Sequence, residues 1–216
     1  MEALIGETFW PGIEGRKTLR DKNNYWVEVK EHNGGSDLSF VYERYETIIP
    51  SSRFDHQERI KIACEACKQY GKNFSCPPYS PTFQEYLGSS KTAMVIAIRI
   101  PQAFFKPVSS EERYRACFRQ ARGLLIKELL VYRKKGYLVA GSGACLACGV
   151  CAVEESLEQC KNPGEMIYSL ESLGTNLTAL TKTCFDFELD WSSDEHAADF
   201  VCSIGAVFYN ENEDYP

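Results

Sequence analysis

A chain of 216 residues with 44% hydrophobic and 12% aromatic content can bury a sizeable core, and its length predicts one domain with at most a small appendage. Its formal charge of −6, with lysines and arginines scattered rather than clustered, excludes nucleic acid and anionic membrane as expected partners. Met1 to Arg16 shows no positively charged segment leading into an apolar run, and the longest apolar stretch, Ala93 to Ile98, is too short to cross a bilayer. The expected setting is a reducing cytoplasm, where 10 cysteines serve more naturally as metal ligands than as disulfide partners.

In chain order, residues 1–37 are polar and broken by Pro11, Gly12, Gly15 and Gly34-Gly35, which predicts a peripheral N-terminal segment carrying one short strand, Tyr25 to Val29. Leu38 to Ile49 is ambiguous in period and is read as a helix. Ile60, Ile62 and Ala63 lead into a first cysteine group. A Pro-punctuated loop from Pro77 to Pro81 follows, then a short helix around Thr82 to Leu87. Thr92 to Ile100 is almost wholly apolar and β-branched, the mark of a strand covered on both faces. Ser110 to Lys135 places Tyr114, Cys117, Phe118, Ala121, Leu124, Leu125, Leu129 and Tyr132 on one helical stripe. Ser109 and Glu112 form a capping-box pattern before this helix, and Gly136 supplies its stop. A strand from Tyr137 to Ala140, a helix from about Leu170 to Lys182, a strand from Phe200 to Tyr209 and an acidic tail complete the chain. The expected architecture is α+β: a mixed sheet with packed helices and two cysteine-rich metal-binding loops, residues 38–216 forming a single domain.

Cys145, Cys148, Cys151 and Cys160 form a C-x2-C-x2-C-x8-C run. Thiolates this dense call for a metal centre, and neighbouring C-x2-C cysteines rarely bridge without strain. A cubane offers one thiolate site per iron corner, which suits three short-spaced ligands and a fourth returning from further along; the run is read as a closed [4Fe–4S] site. Bacterial ferredoxin runs place their fourth cysteine three residues on, whereas here Cys160 follows after eight.

The first group has only three close thiols, Cys64, Cys67 and Cys76, with Gly71 permitting the turn that folds Cys76 back and Pro77-Pro78 stiffening its exit. Three thiolates leave one iron corner of a second [4Fe–4S] cluster open, the condition for binding a small-molecule substrate. Zinc is the rival at this group, because His56-x7-Cys64-x2-Cys67-x8-Cys76 supplies a Cys3His set. Cys117 and Cys202, on apolar faces, read as buried small hydrophobes; Cys184 reads as a core residue, with the fourth ligand of the first group as the other reading.

The segments Arg59-Ile-Lys-Ile-Ala-Cys64-x2-Cys67-x2-Tyr70-Gly71-Lys72-x3-Cys76-Pro77-Pro78, Cys145-x2-Cys148-x2-Cys151-x8-Cys160-x2-Pro163 and Ser169-Leu170-Glu171-Ser172-Leu173-Gly174 occur in one order and spacing. Over about residues 50–210 the chain resembles a family of predicted cysteine-rich metal-binding proteins that carries a domain-of-unknown-function label. The resemblance implies metal or iron–sulfur binding by the seven matched cysteines, in proteins typical of anaerobic metabolism. It implies no reaction.

The sequence therefore predicts a two-cluster iron–sulfur protein that works with a redox partner protein. If its open iron takes a substrate, it is an oxidoreductase or a cluster-dependent lyase. The alternative is a non-catalytic zinc-binding structural or interaction module.

Overall fold

Val41, Tyr42, Tyr45, Ile48 and Ile49 are β-branched and aromatic side chains that fit a pleated surface, and the segment read as a helix is a strand, β4 (Ser36–Pro50). What decides between the two is its partner: β4 pairs antiparallel with β3 (Asn24–Asn33) over ten residues, Asn24 opposite Tyr45 and Asn33 opposite Ser36. Period within one segment does not reveal that partner. The computed structural model describes residues 4–5, 13–21, 24–33, 36–104, 109–190 and 198–210. Gly34-Gly35 and the acidic tail after residue 210 lie outside them.

The chain divides into two compact units. The first takes Met1–Thr47, Ile96–Leu124 and Asp190–Ser203. In it β1 (Leu4–Ile5), β2 (Ile13–Asp21), β3 and β4 form an antiparallel ladder, continued by parts of β5 (Thr92–Pro101) and β8 (Phe200–Tyr209). Where a single short strand was expected before residue 37, the described residues hold β1, β2, β3 and the start of β4. Glu43 is buried and is neutralised by Arg99, with Nη1 3.2 Å from Oε2, while Tyr45 donates to the same carboxylate at 2.9 Å. A buried carboxylate needs such partners to hold its charge. The Arg99 guanidinium also lies 3.6 Å over the Phe200 ring.

The second unit takes Ile48–Val95, Leu125–Leu189 and Ile204–Pro216, and it carries both cysteine groups. Its strand order is β5-β8-β6-β7, where β6 is Leu138–Gly141 and β7 is Tyr168–Ser169. β6 pairs antiparallel with β8 and parallel with β7, so the sheet is mixed and the fold is α+β. β5 is buried on both faces from Thr92 to Ile98, as its unbroken apolar run requires.

Helix α3 (Ser110–Lys134) starts where Ser109 accepts from Glu112 N–H at 3.2 Å and stops at Gly136, whose φ is +96°. Cys117, Ala121, Leu124, Leu125 and Leu129 form its buried stripe. In the second unit that stripe sits tightly on glycines: a methyl group at Gly205 would stand 2.8 Å from both Leu129 Cδ1 and Ala140 O, and one at Gly141 would stand 2.9 Å from Ile126 Cδ1. Phe54, Phe83 and Phe208 pack as an aromatic cluster under the short helix α2 (Phe83–Leu87), which Thr82 and Glu85 close with a capping box.

The helix expected from Leu170 begins later. Leu170 to Gly174 is a turn held by Ser169, whose hydroxyl accepts from Ser172 N–H at 3.0 Å, and it ends at Gly174 with φ +91°. Asn176 then caps α4 (Leu177–Phe185) by accepting from Ala179 N–H at 3.2 Å. No helix among the described residues is long and apolar enough to cross a membrane.

Candidate metal centre

α1 (Glu58–Ala63) runs into a 3-10 turn at Cys64–Ala66, and Cys67 N–H returns to Cys64 O at 2.9 Å. Gly71, at φ +67°, reverses the chain and donates to Pro77 O at 3.0 Å, which folds Cys76 back toward the C-x2-C pair as the glycine's position predicts. Cys67 is exposed, Cys64 half-buried and Cys76 buried. The Cys64 thiol is pushed up to about 11, first by burial, then by the Glu171 carboxylate and by Cys67 and Cys76, with Lys61 opposing. These three thiols and Glu171 therefore share one electrostatic neighbourhood. Glu171 sits there because Ser80 Oγ donates to Ser172 O at 2.9 Å, Ser80 N–H donates to Cys76 O at 3.1 Å, and Gln57 N–H donates to Gly174 O at 2.8 Å.

β6 delivers the second group through Gly141-Ser142-Gly143. Cys145, Cys148, Cys151 and Cys160 line one recess, together with Asn73 and Phe74 from the first loop and Met166. The far end of the loop is anchored to α3 by Arg133, which donates to Gly164 O at 2.8 Å and Pro163 O at 3.0 Å. The Cys160 thiol is pushed up by burial; the Asn162 backbone N–H opposes this, while the thiols of Cys145, Cys148 and Cys151 add to it. Lys161 pairs with Glu155 at 2.6 Å on the exposed side of the loop. Burial pushes the Cys117, Cys184 and Cys202 thiols up to about 12, with Arg53 opposing at Cys184.

His56 stacks on Phe83 with ring centroids 5.3 Å apart, and its Nδ1 donates to Phe54 O at 3.2 Å. Its Nε2 faces Gln84 at 3.5 Å, in a recess that it lines with Glu58 and Lys61. No disulfide joins any of the ten cysteines. Among the described residues, no group of three or more His, Cys, Asp or Glu side chains stands in an arrangement that holds a single metal ion.

The donor set nevertheless fits a thiophilic centre. Four soft sulfurs face one recess, and N–H groups point at sulfur: Ala147 N–H at Cys145 Sγ (3.4 Å), Asn162 Nδ2 at Cys148 Sγ (3.2 Å) and Gln69 N–H at Cys67 Sγ (3.5 Å). Donors aimed at sulfur stabilise the thiolate form that ligation demands. Spacing did not reveal Asn73, Ser75, Asn162 or Glu171. The local signals were an Asn two residues before Ser75-Cys76, another two residues after Cys160, and the place of Glu171 in the Ser169–Gly174 segment that carries the family resemblance.

The model of a family described as predicted metal-binding protein (DUF2284) matches residues 47–208. No curated protein and no solved structure matches the chain.

Proposed function

The chain belongs to this family of predicted metal-binding proteins, and from that premise we propose that it is an iron–sulfur protein with two [4Fe–4S] clusters. Cys145, Cys148, Cys151 and Cys160 hold a closed cluster for electron transfer. Cys64, Cys67 and Cys76 hold a second, whose open iron serves redox or small-molecule chemistry. The observation that carries the reading is the recess lined by four thiols from one short loop. A cubane presents its thiolate positions over a wider frame than one tetrahedral ion, so ligands that share a recess without closing on a point suit it.

Such a cluster supplies reversible one-electron chemistry, and Lewis acidity where a protein ligand is missing. The chain's own residues do the rest. Asn162 donates to Cys148 Sγ, and the backbone N–H groups of Ala147 and Gln69 donate to the sulfurs of Cys145 and Cys67, which orients all three. Cys67, exposed at the rim of the first loop, leaves that side open to a small molecule carrying a sulfur or oxygen donor. Glu171 adds negative charge beside Cys64, which disfavours an anionic occupant and favours a neutral or cationic one. On this reading the protein works in the cytoplasm with a redox partner protein.

The deciding experiment is anaerobic purification followed by visible spectroscopy and iron, sulfide and zinc analysis. The expected product is brown, absorbs broadly in the visible blue and bleaches on reduction. A colourless protein with stoichiometric zinc establishes the structural zinc module instead.

A further inference from the structure

Two loops that carry separate ligand sets share one buried hydroxyl. Ser75, fully buried, donates from Oγ to Asn73 Oδ1 at 2.8 Å, and the same oxygen accepts Cys145 N–H at 2.8 Å. Ser75 N–H also donates to Asn73 Oδ1, at 3.1 Å, and Cys76 N–H donates to Asn73 O at 2.9 Å. Residues 73–76 are thus one hydrogen-bonded block. One end, Asn73 and Phe74, is a wall of the four-thiol recess; the other end is Cys76, a thiol of the first group, with Sγ 3.9 Å from Ser75 Oγ.

We infer that Ser75, seated on Asn73, couples the two thiol sites, so that filling either one raises the affinity of the other. The inference rests on the reading that both loops bind metal. A ligand at the second site fixes Cys145 and its backbone, which fixes the hydroxyl that its N–H meets. The serine proton is committed to Asn73, so holding the oxygen also holds the Asn73–Cys76 turn. Neither partner can drift without leaving a buried polar group unmade. By linkage the effect runs equally in the opposite direction. Ser75 is a positioning residue here and touches no reacting atom.

The test uses full-length protein, stripped and reconstituted anaerobically with ferrous iron and sulfide, then challenged with graded chelator. One variant disables the second site (Cys148→Ser with Cys151→Ser) and another disables the first (Cys64→Ser with Cys67→Ser). The expected result is that each disabled site lowers iron retention at the other by at least ~5-fold, by the same factor both ways. Ser75→Ala in the intact protein should reproduce that loss, and added to either double variant it should cost nothing more. Asn73→Asp, which keeps an acceptor oxygen, should restore coupling where Asn73→Ala abolishes it. If Ser75→Ala does not fold, the two cysteine variants alone decide the question. Equal retention at each site whether or not the other is disabled overturns the coupling and leaves the two-cluster reading standing. A wild-type protein with no metal in either loop overturns both.

Discussion

The two thiol loops use one residue type to different ends. The second draws all four thiols from a single stretch, rooted at one end by β6 against the glycine-floored face of α3 and at the other by Arg133. The first sets three thiols at a helix end and beyond a glycine reversal, beside a carboxylate, with one sulfur in solvent. Ligand number is only part of the contrast. The second loop's four thiols are all half-buried, whereas the first loop's run from buried Cys76 to exposed Cys67.

Changes that remove a ligand test this contrast most severely. On the two-cluster reading, Cys148→Ser takes away both a ligand and the acceptor of Asn162, and it should cost about one cluster's iron and lower the melting temperature, because metal binding is coupled to folding. Full iron content in that variant would remove the second loop from the metal chemistry. Next in size is Asn162→Ala, which deletes the donor to Cys148 Sγ and to Ala147 O, both at 3.2 Å. It should weaken retention at the second loop by about 10–100-fold in a chelator competition, with the first loop affected only through coupling. Equal weakening of both loops would argue that Asn162 stabilises the fold as a whole.

The smallest effect concerns the first loop. Glu171→Gln removes a negative charge that helps hold the Cys64 thiol near 11, so in the metal-free protein that thiol should ionise at lower pH. Burial is the larger cause and remains, so the shift is partial. The pH dependence of Cys64 alkylation measures it: the midpoint moves down if Glu171 acts on the thiol, and stays put if burial alone sets it.

What could be read from the residues was whatever is local. The unbroken apolar run of β5, the stripe of α3 with its Ser109 cap and Gly136 stop, and the cysteine spacings depend on neighbours within a turn or two. β4 was misread because pairing with β3 decides it, and α4 was placed too early because Leu170 to Gly174 keeps helical-looking apolar spacing while Gly174 and Asn176 reset the chain. Ser75 and Cys145 are 70 residues apart in sequence, and nothing in either segment announces the other. The candidate ligands were legible as spacing; the groups that hold them in place are contacts between segments, which a single sequence does not display.

The uneven exposure of the first loop also sets an order of events. With Cys67 exposed, Cys64 half-buried and Cys76 buried, a reagent arriving from solvent meets Cys67 first and Cys76 last. An alkylating reagent therefore works through the loop from its outer edge inward.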